Sequence, residues 1–400
     1  MTHSGRANGL ADRMRILLAS VLLLLGVSLT GCGDSGHLPA RVIATIQVGL
    51  PPRAVDVNPT TNRIYVLQGD RPGMTLPGTV SVIDGATNTV TATVPVGVSA
   101  CQLAVDPVTD RIYVTNEGEQ FVTVIDGATN NTTTINVGYN ACELAINTKT
   151  NKIYVPTENN TVTVIDGATS ETTKIAFDAP TSNIVVNSAT NTAYVVLDAH
   201  GPARIAAIDG ATNNTAEIAS LNSPVLSTAV NSGTNQVYAV YDFPDLHYSG
   251  LAIVDGTTFA ISRVGDDPIF RDPPTGGIAV NESTNRIYVT RNSGAVSVID
   301  GPTLSTLNVM TSPVPDFVTV DSGINQIYSL NTNSDSSAHG TTCTVIDGAT
   351  NLTTTLQVGV APIAAAVNPV THRVYVANSC GNDPNCLLAP GTVSVIEAAH

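Results

Sequence analysis

The ten residues TVSVIDGATN (Thr79–Asn88) recur with small changes seven more times along this chain of 400 residues. The acidic residue of each copy returns at intervals of 40 to 50 residues. A repeat of that period indicates one supersecondary unit that stacks on copies of itself, because a single unit cannot bury its own apolar faces. The acidic positions are Asp84, Asp126, Asp166, Asp209, Asp255, Asp300, Asp347 and Glu397.

A tyrosine-containing segment precedes each copy. Eight of the eleven tyrosines occupy this one position of the repeat. With the apolar segment before it and the Thr/Val-rich segment after the copy, each unit contains four short runs of Val, Ile, Thr and Tyr bounded by Asn, Asp, Gly and Pro, a pattern typical of β-strands. Four strands in about 40–45 residues predict the blade of a β-propeller. The tyrosines are Tyr65, Tyr113, Tyr154, Tyr194, Tyr238, Tyr288, Tyr328 and Tyr375.

The two ends of the chain indicate how the ring closes. The last unit stops after its third strand, TVSVIE (Thr392–Glu397), while the segment RVIATIQVG (Arg41–Gly49) matches the fourth strands of the other units. Pairing these two segments removes the exposed sheet edges. We therefore predict an all-β fold, an eight-bladed β-propeller of four-stranded antiparallel blades whose last blade is completed by the N-terminal strand. Seven blades are the alternative, if one unit folds outside the ring.

Several copies resemble a known family of repeats. The segments RIYVTN (Arg111–Asn116), RIYVTRN (Arg286–Asn292) and GTVSVIDGATNTVTATVPVG (Gly78–Gly97) resemble the YVTN family of β-propeller repeats, and the resemblance extends from Arg41 to His400. It implies the propeller fold. It implies no single activity, because related propellers occur in envelope and surface-layer proteins, in lactonase-like enzymes and in haem-binding redox proteins.

The N-terminal segment has the pattern of an export signal. Three arginines precede an uncharged run, Ile16–Leu29, that is too short to span a bilayer as a helix. The letters LTGC that end at Cys32 resemble the lipobox of bacterial lipoproteins, which implies cleavage before Cys32 and diacylation of its sulfur. We predict a lipoprotein signal peptide over residues 1–31, a lipidated tether over 32–40 and a single propeller domain over 41–400. An ordinary secretion signal is the alternative.

This organisation predicts an extracytoplasmic protein that is lipid-anchored to the plasma or outer membrane of a bacterial cell envelope. The chain has 17 Lys+Arg and 32 Asp+Glu, a formal net charge of −15. An acidic surface repels nucleic acid. We expect no nucleic-acid partner, membrane contact through the lipid anchor only, and either an envelope protein or a small polar ligand as the partner.

Candidate functional residues lie where the repeat is broken. The second-to-third loops and the connections between blades vary in length, and in a propeller both emerge on one face. On that face, polar side chains at or next to one register position of the innermost strands form a predicted ligand face at the mouth of the channel, with bound water as the alternative to a polar ligand: Arg53, Gln102, Glu143, Asn183 and Asp316. Aromatic residues of blades five and six form a candidate contact surface, with local loop packing as the alternative: Tyr241, Phe243, Tyr248 and Phe270.

Three loop histidines, His200, His247 and His339, are the candidate metal ligands, since imidazole beside carboxylates can bind a metal or transfer protons. The alternative is that polar loops simply contain histidine. No cofactor is predicted beyond such a metal ion. The G-x-S-x-G, H-E-x-x-H, P-loop and G-x-G-x-x-G motifs are absent from the sequence.

Two pairs of cysteines are disulfide candidates, because an extracytoplasmic compartment permits disulfides. Cys380 and Cys386 share one loop, and Cys101 and Cys142 occupy the same position in adjacent blades. The second pair can form if the two Cα atoms lie within about 7 Å. Cys343 is left over and is expected to be buried. No C-x-x-C or C-x-x-C-H motif occurs, which disfavours thioredoxin-like chemistry and covalent haem.

These patterns favour a binding or scaffolding module that acts through its variable-loop face. The alternative is a propeller enzyme, a lactonase-like hydrolase or a lyase, with its site at the mouth of the channel. No catalytic residue is identified from the sequence. The enzyme hypothesis predicts that the loop histidines converge with carboxylates on one side of the ring axis.

Overall fold

A computed structural model describes residues 39–69, 77–198, 201–221, 223–243, 248–264, 274–311, 313–333, 339–384, 386 and 390–398. Residues 242, 243, 248, 249 and 274 are described by their backbone alone. Ala40–Ala398 forms one compact unit. The described ranges contain β-strands and turns, and they hold no helix with the length and apolar character that crossing a membrane requires.

Eight four-stranded antiparallel sheets form the blades of a ring. In each blade the first strand named is the innermost and the last is the outermost. Blade 1 comprises β2 (Pro52–Asn58), β3 (Arg63–Gln68), β4 (Pro77–Asp84) and β5 (Thr89–Val98); blade 2, β6 (Ala100–Asp106), β7 (Arg111–Asn116), β8 (Phe121–Asp126) and β9 (Thr132–Asn136); blade 3, β10 (Ala145–Asn147), β11 (Lys152–Thr157), β12 (Thr161–Asp166) and β13 (Thr172–Ala176); blade 4, β14 (Thr181–Asn187), β15 (Thr192–Leu197), β16 (Arg204–Asp209) and β17 (Thr215–Ser220). Blade 5 comprises β18 (Val225–Asn231), β19 (Gln236–Phe243), β20 (Tyr248–Asp255) and β21 (Ile261–Val264); blade 6, β22 (Pro274–Asn281), β23 (Arg286–Arg291), β24 (Ala295–Asp300) and β25 (Thr306–Met310); blade 7, β26 (Phe317–Asp321), β27 (Gln326–Asn331), β28 (Thr342–Asp347) and β29 (Thr353–Gln357); blade 8, β30 (Pro362–Asn368), β31 (Arg373–Asn378), β32 (Thr392–Glu397) and β1 (Arg41–Gln47).

The first and last strands of the chain pair with each other and complete blade 8. Strand β1 runs antiparallel to β32, with Ile46 opposite Val393. Arg41 at the start of β1 forms an ion pair with Glu397 at the end of β32, with 2.8 Å between Nη2 and Oε2. The predictions of eight blades and of closure by the N-terminal strand are both confirmed.

The core of the ring lies between neighbouring blades. The second strand of each blade is buried on both faces, and the repeated tyrosine sits within it. The Tyr65 ring of blade 1, for example, packs with Leu103 and Val105 of blade 2. Since a buried aromatic ring covers about 150–250 Å², one tyrosine in each blade supplies much of the contact with the next blade.

The repeated aspartate organises a turn. The Oδ1 atom of Asp84 accepts hydrogen bonds from the N–H groups of Thr87 at 2.9 Å and Ala86 at 2.8 Å. These bonds hold the pKa of Asp84 below its usual value. Asn88 closes the turn at a φ of 55°, which asparagine tolerates better than most residues. The same aspartate-capped turn recurs at Asp126, Asp166, Asp209, Asp255, Asp300 and Asp347.

A second repeated contact, which we call the amide belt, joins one blade to the next. The buried asparagine that ends an innermost strand donates through Nδ2 to the side-chain oxygen of a residue in the first turn of the following blade. The belt consists of Asn58–Asp110 at 2.6 Å, Asn147–Asn191, Asn187–Asn235, Asn231–Asn285 and Asn281–Asn325 at 2.8 Å each, and Asn368–Asn62 at 2.9 Å. Between blades 7 and 8 the corresponding pair is Asp321 and Nδ1 of His372, at 2.9 Å.

Candidate functional site

The innermost strands contact one another around the ring and enclose a channel. At the end where these strands begin, which we call the channel mouth, lies a cavity of about 600 Å³. Among the described lining residues, blades 1 to 5 contribute all of the polar side chains together with several apolar ones, whereas blades 7 and 8 contribute apolar side chains alone. The apolar residues from the first group of blades are Ala54, Val55, Leu103, Ile184 and Val185. The polar group is Arg53, Gln102, Glu143, Asn183, Ser227 and Thr228; the apolar group includes Phe317, Ile363, Ala364 and Ala365.

Four of the five residues that the sequence places at this mouth line the cavity, and Asp316 is the exception. The Oδ2 atom of Asp316 accepts a hydrogen bond from the hydroxyl of Thr332. Its backbone N–H donates to the carbonyl oxygen of Leu330 at 3.2 Å. These contacts direct the Asp316 carboxylate to the second strand and loop of its own blade, so it does not belong to the polar lining.

β-bulges at the channel mouth determine the direction of several lining side chains. The register between the first and second strands shifts across Arg53 in blade 1, Asn183 in blade 4 and Ile363 in blade 8. A bulge inserts one residue into a strand and redirects the side chains around it. Asn183 also has a φ of 39°. The alternation of side chains along a strand cannot reveal a bulge in the sequence. An alignment of all eight innermost strands, however, would have added Ser227 and Phe317 to the candidate cavity residues.

Polar side chains at the mouth also join adjacent blades. The Oε1 atom of Gln102 accepts from the N–H of Leu144 at 2.8 Å, and Oε2 of Glu143 accepts from the N–H of Ile184 at 3.3 Å. An innermost strand has one edge without a partner strand, so its N–H groups need other acceptors. Gln102 and Glu143 therefore stabilise the wall of the cavity while the rest of each side chain faces the channel.

Burial shifts the pKa values of two carboxyl groups in the channel wall. It raises the pKa of Glu143, and the N–H groups of Ile184 and Asn183 oppose that rise. It raises the pKa of Asp56 to about 6, against opposing bonds from the N–H groups of Val105 and Val57. Both acids are therefore easier to protonate than in water.

The pKa of Asp56 leads to a test of stability. The native state binds a proton between about pH 4 and pH 6 that the unfolded state has released, so stability should fall as the pH rises through this window. A rise from about 3.9 to about 6 corresponds to at most about 3 kcal/mol, and the effect should be smaller because Asp56 is only half-buried. We expect Asp56→Asn to remove this dependence in urea unfolding from about pH 4 to pH 8.

Asp84→Asn is the matched control. The pKa of Asp84 is lowered, so its contribution to stability is present above about pH 4 and is lost only as the pH falls below that value. The stability of this variant should keep the wild-type dependence between about pH 4 and pH 6. Equal slopes for wild type and Asp56→Asn in that window would contradict the assignment.

The structure joins both candidate cysteine pairs in disulfides. The Cα atoms of Cys101 and Cys142 are 5.0 Å apart, and those of Cys380 and Cys386 are 4.9 Å apart. The first disulfide lines the cavity and links blades 2 and 3. Strand β10 of blade 3 begins at Ala145, after Cys142. The disulfide therefore anchors the residues before β10, which make no ladder hydrogen bonds. Cys343 is buried, which raises the pKa of its thiol to about 12.

The structure describes some of the remaining candidates and leaves others outside the described residues. Tyr241 is only 1 % exposed and packs in the core between blades 4 and 5, so its assignment to a contact surface is wrong. His339 is exposed and lies beside the Cys380–Cys386 disulfide. Phe243 and Tyr248 pair through their backbones, and their side chains lie outside the described part. Four further candidates lie outside the described residues: Cys32, His200, His247 and Phe270.

Comparisons with known proteins identify the fold. No protein-family model matches the chain, and no curated protein matches it. Among solved structures it is similar to the hydrazine synthase of Kuenenia stuttgartiensis, with 17% identity, a TM-score of 0.55 and coverage of 78% of this chain and 97% of that one. It is also similar to the Cps50 (Swd1) β-propeller domain of Myceliophteria thermophila, with 10% identity, a TM-score of 0.55 and coverage of 90% and 100%.

A third similar structure is the dihydro-haem d1 dehydrogenase NirN in complex with DHE, with 13% identity, a TM-score of 0.65 and coverage of 89% of this chain and 79% of that one. At these identities the similarity shows a shared β-propeller fold and no shared activity.

Proposed function

We propose that this propeller is a binding module that holds a small organic anion with an apolar body in the cavity at its channel mouth. The two-sided lining of that cavity is the observation on which the proposal rests. Its volume of about 600 Å³ lies within the range of about 300–1,000 Å³ that small-molecule sites occupy. A ligand with one polar and one apolar end would satisfy both walls.

The charges at the mouth favour an anion. Arg53 is the one cation among the described residues that line the cavity. Glu143, the one lining carboxyl group among them, has a raised pKa, so it repels an anion less and can donate a hydrogen bond when protonated. The buried hydroxyl of Ser227 has no hydrogen-bond partner among the described residues, and a bound polar group would supply one.

Three probes with one apolar body and different charges test this proposal: phenylacetate, benzyl alcohol and benzylamine. We expect phenylacetate to bind most tightly by ligand-observed NMR, and Arg53→Ala to weaken its binding about tenfold, because a hydrogen bond to a charged group contributes about 1.5–3 kcal/mol. Binding should strengthen as the pH falls through the pKa of Glu143, and Glu143→Gln should flatten that dependence.

Arg263→Ala is the matched control, since Arg263 is an exposed arginine on the outermost strand of blade 5. It should leave phenylacetate binding unchanged. If none of the probes binds, or if Arg53→Ala binds phenylacetate as wild type does, the anion site is ruled out.

The location of this module is part of the proposal. The lipobox-like LTGC segment supports a lipid anchor at Cys32 and display of the propeller on a bacterial cell envelope. The YVTN-like segments support membership of that repeat family. The variable loops around the same mouth would then be accessible to an envelope protein, which makes scaffolding a second use of the same face.

A hydrolase or lyase that uses the same cavity is the second candidate. Two of the similar structures are named as enzymes, a synthase and a dehydrogenase. Glu143, with its raised pKa, is suited to act as a general acid. Binding is favoured because the described lining residues include no histidine, lysine or free thiol to act with Glu143. Hydrolysis of an aryl ester by wild type but not by Glu143→Gln would reverse that preference.

A further inference from the structure

Blades 7 and 8 bring together three side chains that the sequence separates. A ring nitrogen of His339 and the Sγ atoms of Cys380 and Cys386 lie within 4.8 Å of one another. His339 belongs to the loop between β27 and β28, and the cysteines belong to the loop between β31 and β32. Each loop joins the second and third strands of its blade, so the cluster lies on the variable-loop face.

Backbone hydrogen bonds fix the described residues of these two loops next to the cluster. The connection between blades 7 and 8 runs between them, and the N–H of Ala361 donates to the carbonyl oxygen of Gly340 at 2.9 Å. On its other side, the N–H of Ser379 donates to the carbonyl oxygen of Ala361 at 2.8 Å, and the N–H of Cys380 donates to that of Val360 at 3.1 Å. The side-chain cluster is therefore held by hydrogen bonds that do not depend on its own chemistry.

We infer that Cys380, Cys386 and His339 form a binding site for a thiophilic metal ion when the two cysteines are in the dithiol state. Two thiolates and one imidazole are ligands that Zn²⁺ and Cu⁺ prefer. Bonds of about 2.0–2.3 Å to a tetrahedral ion separate neighbouring ligand atoms by roughly 3.3–3.8 Å. The imidazole nitrogen already lies within 4.8 Å of both Sγ atoms, so reduction has only to let the two sulfur atoms move apart. Cys380 is buried and His339 is exposed, so the ion would bind against the core with its remaining coordination position toward solvent.

The disulfide makes this site redox-dependent. An external dithiol reduces the Cys380–Cys386 bond by thiol–disulfide exchange: two electrons and two protons pass to the protein, and the reductant becomes a disulfide. The metal ion then displaces the two thiol protons as it binds. The disulfide excludes the metal, and the bound metal in turn protects the thiolates from oxidation.

Zn²⁺ titration of the oxidised and the dithiol-reduced protein, in competition with a chromophoric chelator, tests the inference. We expect one equivalent to bind after reduction and none before. Co²⁺ added to the reduced wild type should produce thiolate-to-metal charge-transfer absorption, which shows that cysteine thiolates are among the ligands. Failure of the reduced protein to bind Zn²⁺, or a Co²⁺ spectrum without thiolate bands, would overturn the inference.

Variants separate this site from the other cysteine pair, Cys101 and Cys142, which lies beside Glu117. Cys101→Ser/Cys142→Ser should bind Zn²⁺ as wild type does after reduction, whereas Cys380→Ser/Cys386→Ser should not bind it. His339→Ala should weaken binding by about tenfold or more, because even the loss of an outer-shell partner has an effect of that size. The opposite result for the two cysteine pairs, or wild-type affinity in His339→Ala, would refute the assignment.

Discussion

Ile46→Asp should lower the free energy of unfolding by about 4 kcal/mol or more, because loss of a buried isoleucine costs about 2–5 kcal/mol and the new carboxylate would be buried without a partner. Ile46 is 6 % exposed and lies on β1, the strand that completes blade 8. It packs in a cluster that contains Tyr375 of blade 8 and Val57 of blade 1. The substitution therefore weakens the closure of the ring and one junction between blades at once.

Gln47→Asp provides the comparison, since Gln47 is the next residue on the same strand and is exposed. It should change stability by less than about 0.5 kcal/mol. Urea unfolding followed by circular dichroism measures both variants. A loss in Ile46→Asp as small as that expected for Gln47→Asp would mean that β1 contributes little to the stability of the ring.

Asn281→Ala should lower the free energy of unfolding by about 3 kcal/mol, because it removes three hydrogen bonds made by one buried amide, each of which contributes about 1 kcal/mol. Asn281 is completely buried and belongs to the amide belt. Its Nδ2 donates to Asn325 of the next blade, and its Oδ1 accepts from the N–H and the hydroxyl of Ser283 at 3.1 and 2.7 Å. The side chain of Asn281 thus stabilises the turn that follows its own strand and also binds the neighbouring blade.

Asn131→Ala is the control for this prediction, because Asn131 is exposed beside a turn of blade 2. Its effect should stay below about 0.5 kcal/mol. A double-mutant cycle with Asn325→Ala isolates the bond between the blades, since coupling energy appears only when two residues interact. Zero coupling in that cycle would show that Asn281 acts on its own turn alone.

Most of the fold could be predicted from the sequence because its repeat is long, regular and nearly invariant in its strand residues. The match of Arg41–Gly49 to the fourth strands of other units was sufficient to predict closure by β1. The shortness of β10 could not be predicted, because the Cys101–Cys142 disulfide and the Gln102–Leu144 bond hold the residues just before it in place of a strand ladder. A disulfide or a side-chain hydrogen bond that replaces ladder hydrogen bonds leaves no periodic pattern in the sequence.

The site was predicted only in part because side-chain direction depends on contacts between distant segments. Shared register correctly places Arg53 and Glu143 at the cavity, but Asp316 is directed to Thr332 instead. Tyr241 turns into the core beside Gly250, where a Cβ atom would collide with the tyrosine ring. The approach of His339 to Cys380 depends on how blades 7 and 8 dock, and no local pattern contains that information.

The pairing of β1 with β32 also determines the order in which the molecule can be completed. Arg41 and Glu397, which bond across these strands, are 356 residues apart in the chain. At about 5–20 residues per second, roughly 20 to 70 s of synthesis separate the emergence of the first strand from that of its partner. During this interval β1 has no partner strand and the ring stays open between blades 1 and 8. A chaperone that binds the unpaired strand would protect it from aggregation. Once β1 and β32 have paired, each of these two strands is held by the other, so neither can detach alone and spontaneous opening of the ring should be slow.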